Sequence, residues 1–237
     1  MPDGQSRESG ARAELLRAAE EALRQQAPAL PPAAAALLHR LAEALPTAEL
    51  AAEPPERIAA ATASLYAFAA ERKPGTAKVR LLPPGPGRGA VAVAEIVTED
   101  MPFLVDSVLA ALALSGRTPR RLLHPVLRVA RDAAGRLEGF AEGGAAESMM
   151  HVEIAPATAR LLGGGGEAPD EGWETTEAAL RRALTETRLA VADFPAVLQR
   201  LRAAEAEIAR EDRPRPPPAV PSCAGWRRTI SSSSATG

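Results

Sequence analysis

Glu95-Ile-Val-Thr-Glu-Asp-Met-Pro-Phe-Leu-Val-Asp-Ser107 reads as a strand, a tight turn and a helix start, and the rest of the chain is organised around it. Val91, Val93, Ile96 and Val97 supply the β-branched residues of the strand, which ends in the polar cluster Thr98-Glu99-Asp100. Asp100 suits an N-cap, and Pro102 then falls in the first helical turn, where a missing N–H costs nothing. Phe103, Leu104, Val108, Leu112 and Leu114 follow with a mostly helical apolar spacing, so the helix is expected to lie back on the strand. A strand feeding such a helix leads on to further strands of one sheet.

Around this unit the 237 residues have room for one large domain or two small ones. Alanine supplies much of the hydrophobic share and aromatics are only 3%, so the core has to be built from small and medium side chains. A net charge of −2 with scattered arginines gives no footprint for nucleic acid. One cysteine, Cys223, excludes an intrachain disulfide and a thiolate zinc cluster. No apolar run approaches the roughly 20 residues of a membrane helix, and no secretory segment opens the chain, so a cytoplasmic location and no membrane partner are expected.

Residues 8–26 read as an amphipathic helix, with Leu15, Leu16, Ala19 and Leu23 on one face and Glu14, Glu20 and Arg24 opposite. Pro28, Pro31 and Pro32 interrupt it; a second helix is expected over Ala33–Leu45 and a third over 55–72, closed by Pro74-Gly75. Lys78-Val-Arg-Leu-Leu82 then alternates like a strand, and Pro83–Gly89 reads as a turn or loop. Beyond the central unit come a strand at Arg121–Ala130, a hairpin turn at Asp132–Arg136 and a strand at Met149–Ala155. A helical region spans Trp173 to about Ala209, with Pro195 as its point of breakage. The fold class is therefore α+β: an N-terminal helical cap (1–74), a mostly antiparallel sheet with packed helices (75–210), and a tail (211–237). Val93, Ile96, Leu104, Val108, Val126, Val129 and Val152 are the expected core.

Three blocks, Glu95–Val108, His124-Pro-Val-Leu-Arg-Val129 and Glu147-Ser-Met-Met-His-Val-Glu-Ile154, resemble in order and spacing the N-terminal region of the large bacterial NAD-specific glutamate dehydrogenases. The resemblance covers residues 10–210 and implies an ACT-like regulatory domain ahead of the catalytic part. It implies a parent enzyme that converts L-glutamate and NAD to 2-oxoglutarate and ammonia. For this chain it implies no catalytic, cofactor-binding or metal residues, with NAD belonging to the parent. Partners are then the rest of the dehydrogenase chain or further copies in a homo-oligomer. The alternative is a free-standing ACT-like amino-acid-sensing or interaction module. No strand–GxGxxG–helix unit is visible.

The one candidate binding site is the turn Thr98, Asp100, Met101, Pro102 and Phe103. ACT domains resemble Asp-x-Pro-Gly-Leu here, where glycine lets a small amino acid approach the backbone at a helix N-terminus. Phe103 stands at the glycine position, and its side chain is expected to fill that space. The other candidates have blander readings. Asp100 and Asp106 could be an acid–base pair, but read as a cap and a wet-face residue. His124 and His151 could meet across strands as metal ligands, but lack a third ligand. Gly163–Gly166 reads as a loop, and Ser107, Ser148 and Cys223 show no His/Asp partners for nucleophilic chemistry.

The tail from about residue 212 is expected to be read in the wrong frame and disordered. Its composition turns abruptly to Arg-Pro-Arg-Pro-Pro-Pro and ends in a serine run. In a shifted register, one permitted codon choice converts Ser222–Thr236 to FLRWLAADDFIFLGY. That string resembles the Trp-Leu-x-x-Asp-x-x-Phe-x-Phe-Leu-Gly-Tyr stretch that follows this domain in the large dehydrogenases.

Overall fold

The computed structural model describes residues 3–85, 91–155 and 172–211. Gly163–Gly166, Cys223 and the tail from 212 lie outside them. Met1–Val191 and Ala192–Gly237 are two compact units.

In the first unit, helices α1 (Asp3–Gln26), α2 (Ala33–Glu43), α3 (Thr47–Ala52) and α4 (Pro55–Ala69) come first. The short α3 was not apparent in the sequence, because between Pro46 and Pro54 it runs for only six residues, too few to show a period. Then follow β1 (Lys78–Leu82), β2 (Ala92–Glu99), α5 (Leu104–Leu114), β3 (Pro119–Leu123), β4 (Val126–Arg131), β5 (Leu137–Phe140) and β6 (Ala145–Ile154). Helix α6 runs over Trp173–Glu211 and passes through Pro195 without the break that proline suggests.

Every strand pair is antiparallel, in the order β1-β2-β6-β4-β5, with β3 also pairing with β6. The architecture is α+β, as the sequence indicates. Strand β6 is the centre: β2 lies along one side, while β3 and β4 share the other, β3 beside Ile154–His151 and β4 beside Ser148–Ala145. The single strand expected at Arg121–Ala130 is thus two. His124-Pro125 separates them, since Pro125 cannot donate to a ladder.

Alternation on β2 and β6 sorts side chains to two cores. Ala94, Ile96, Met150, Val152 and Ile154 meet Leu104, Val108 and Leu112 of α5 and Leu180 and Leu184 of α6. Val97, Met149, Leu123, Leu127 and Val129 meet Leu37, Leu38, Leu41, Leu65 and Tyr66 of the front helices. The sheet is therefore the middle of three layers. Six of the seven expected core residues are buried. Val126 is the exception at 44% exposed. It pairs with Ser148 on the face opposite Leu127 and Val129, where Arg128 is exposed as well. Leu114, counted in the helix's apolar spacing, is also exposed at the end of α5.

The hairpin at Asp132–Arg136 forms as expected, with Asp132 Oδ1 accepting from the backbone N–H groups of Ala134 and Arg136. Gly135 has φ 86°, and a Cβ there would come 2.5 Å from the Arg72 carbonyl oxygen. The turn docks on the end of α4 through Arg72 N–H to Gly135 O (2.9 Å) and Leu137 N–H to Ala70 O (2.8 Å).

Candidate functional site

The turn between β2 and α5 is built differently from its sequence reading. The helix begins at Leu104, so Pro102 precedes it and Asp100 is not the cap. Phe103 is the N-cap, in the left-handed region at φ 66°, ψ 7°, with no side-chain cap; its carbonyl accepts the first helical bond from Ser107 N–H (3.0 Å). The backbone here adopts the conformation that a glycine would take most easily. The Phe103 side chain, however, is 62% exposed, so it does not fill the turn from within. Packing falls instead to Leu104, buried against β2 and β6, and Met101, half-buried beside it.

Asp100 turns towards β6. Its N–H donates to Ala146 O (3.0 Å), and its Oδ1 accepts the Ser148 hydroxyl (2.7 Å). His124 Nε2 lies 2.9 Å from the same Ser148 oxygen. With its proton on Asp100, Ser148 accepts from His124. Serine activation needs the imidazole to take the serine proton, so this order of partners holds the turn rather than making a nucleophile. Burial lowers the His124 pKa, opposed by the Asp100 charge. The trio was missed in the sequence because 24 residues separate His124 from Ser148 and 48 separate Ser148 from Asp100. Thr98 is buried, with its hydroxyl 3.4 Å from Arg188 of α6; Arg188 also reaches Glu99 (3.6 Å).

The remaining candidates do not converge. Asp106 is exposed in the first turn of α5, its expected wet-face place. His151 faces the front helices and His124 bonds to Ser148 on the other face of the sheet, so they cannot share an ion. Among the described residues no group of three His, Cys, Asp or Glu side chains could hold a metal. The Ser107 hydroxyl accepts from Thr187, joining α5 to α6 (2.7 Å).

The densest chemistry lies between the sheet and the front helices. Arg80, Glu95 and His151 are consecutive cross-strand neighbours on β1, β2 and β6. Arg80 Nε donates to Glu95 Oε2 (2.7 Å), Arg80 Nη2 donates to Ser64 O of α4 (2.8 Å), and Glu95 Oε1 is 3.4 Å from His151 Nδ1. Glu147 accepts from Arg131 Nε and from Arg72 Nη2, each at 2.7 Å. Glu153 is 3.0 Å from Arg57 of α4 and 3.5 Å from Arg121 of β3. Burial pushes the Glu95 and Glu147 carboxyls up, but the neighbouring His151 and the Arg80 guanidinium at Glu95, and bonds from Arg131 and Arg72 at Glu147, outweigh it and hold both below the ordinary carboxylate range. The visible signal was Glu147, His151 and Glu153 at alternate positions, normally a wet strand face.

The class of protein is thus an antiparallel α+β sheet domain with helices on both faces and its buried charges committed to internal pairs. Of the Pro83–Gly89 segment, read as a turn or loop, only residues 83–85 are described. The model of the family "Glutamate dehydrogenase, ACT1 domain" matches residues 37–161, and the chain belongs to that family. It is 32% identical over 180 residues to an NAD-specific glutamate dehydrogenase of Halomonas elongata; the match takes in 72% of this chain and 10% of that protein. The chain therefore spans about a tenth of its relative's length. Among the described residues no helix is long and apolar enough to cross a membrane.

Proposed function

We propose that the chain is the N-terminal regulatory and assembly segment of an NAD-dependent glutamate dehydrogenase that works in the cytoplasm. The parent would convert L-glutamate to 2-oxoglutarate and ammonia, and this segment would contribute no catalytic group and hold no NAD. The observation that carries the reading is the fate of the buried ionisable groups. Glu95, Glu147 and Glu153 are all spent on arginines that clamp the front helices to the sheet. Such a body is suited to holding or relaying a conformation. Incubation of the purified chain with glutamate and NAD is expected to give no NADH; glutamate-dependent NADH above an empty-vector preparation would sink the reading.

One observation favours a second role, amino-acid sensing. The left-handed backbone at Phe103 supplies the geometry of an effector turn at Thr98, Asp100, Met101, Pro102 and Phe103. Against it, the Asp100 carboxylate and the Thr98 hydroxyl already have partners within the protein. Isothermal titration with a panel of amino acids is therefore expected to show no saturable binding. Binding that Phe103→Ala abolished would move the sensing role to first place.

A further inference from the structure

The second compact unit carries an apolar seam with a seven-residue repeat. Within helix α6, Phe194, Val197, Leu201 and Ile208 each keep more than half of their surface exposed. With Phe194 at position a, Val197 is d, Leu201 a, Ala204 d and Ile208 a, so five apolar residues fall on one narrow stripe. Pro195 falls at b, off the stripe, where a ring in place of an N–H leaves the seam intact. A row of large apolar side chains left in water at this spacing marks a helix that lacks its partner.

One flanking pair, Arg200 and Glu205, fits a second copy of the same helix. Arg200 occupies g and Glu205 occupies e of the following heptad. In a parallel pair of helices, g of one faces e of the other five residues on. Two copies in register therefore set Arg200 against Glu205 twice, once on each side of the seam, while Phe194, Val197, Leu201, Ala204 and Ile208 each meet their own counterpart. We propose that residues 194–208 form a parallel two-stranded coiled coil with a second copy of this chain. This goes beyond the assembly role above: it stands on the seam of α6 alone and does not depend on the inactivity of the segment.

Sedimentation equilibrium of the full chain over a range of concentrations tests it. The expected result is a monomer–dimer equilibrium that Leu201→Asp weakens about tenfold or more, because a carboxylate would be buried unpaired at the centre of the seam. Arg200→Glu should weaken it too, and the exchange Arg200→Glu with Glu205→Arg should restore it. In a Cys223→Ser background, Ala204→Cys should oxidise to a covalent dimer, since only a parallel, in-register pair brings residue 204 against itself. A chain that stays monomeric throughout overturns the proposal, and so assigns the seam to another partner. A dimer indifferent to Leu201→Asp, or one that Ala204→Cys fails to cross-link, overturns it equally.

Discussion

Replacing Phe103 by glycine and by alanine should reverse the usual order of those two residues. Phe103 is held at φ 66°, where a side chain's Cβ crowds the backbone at a cost of about 1–2 kcal/mol. Glycine removes that cost but loses about 0.5–1 kcal/mol through the greater freedom of its unfolded chain. Alanine retains the strain. Both variants also give up what burial Phe103 has. At 62% exposed it contributes about a third of a fully buried phenylalanine, roughly 0.5–1 kcal/mol. These terms leave Phe103→Gly within about 1 kcal/mol of the parent and Phe103→Ala about 1 kcal/mol below it. Glycine should therefore be the more stable variant by about 1 kcal/mol, whereas at an ordinary α or β position alanine wins by a similar amount. Urea unfolding followed by circular dichroism, with slopes compared to confirm a common unfolded state, measures the difference. If Phe103→Ala equals or exceeds Phe103→Gly in stability, the left-handed turn is not the conformation in solution, and the argument that this site keeps the geometry of an effector turn fails with it.

Glu147→Ala should cost about 3–5 kcal/mol in urea unfolding, because it strands the buried Arg72 and Arg131 guanidiniums; a loss of under about 1 kcal/mol would mean the pair behaves as a surface one. Leu104→Asp buries a charge in the α5–sheet core and should lower stability by several kcal/mol; an unchanged melting temperature would show that the inward face of α5 is misassigned. The folded pKa of His124 lies below 6.5, so the folded state resists the proton. Its contribution is complete above 6.5 and is lost as pH falls through that value towards the folded one, since the unfolded chain then binds more protons. The parent should thus lose stability relative to His124→Gln on acidification, and a difference that stays flat with pH would contradict this. Glu95 and Glu147, also depressed, act with the same sign but further down: their contribution is full above the ordinary carboxylate value and disappears as pH drops through the folded one. The steepest acid loss should therefore come in that lower range and be reduced in Glu147→Gln; an acid limb unaltered by that change would place the loss elsewhere.

What could be read from residues alone was local and periodic. The alternation in Lys78–Leu82, the β-branched run before Thr98, the helical spacing of Leu104, Val108 and Leu112 and the turn at Asp132–Arg136 each depend on near neighbours, and each forms as its pattern indicates. Three-dimensional structure decided whatever depends on who lies opposite. Val126 looks like core by composition, yet it stays exposed, because among the described residues no layer covers its face of β4. Glu147, His151 and Glu153 look like a wet edge, yet the front helices close over them, and Arg57 of α4, Arg72 beyond its end, Arg121 of β3 and Arg131 of β4 neutralise the charge. Asp100 looks like a helix cap by its place before Pro102, but Ser148 offers it a partner across the sheet and the cap passes to the strained backbone of Phe103. A hydrogen bond or ion pair between residues 48 or 75 apart leaves no periodic trace in a single chain, because its worth depends on burial that only the packed layers create.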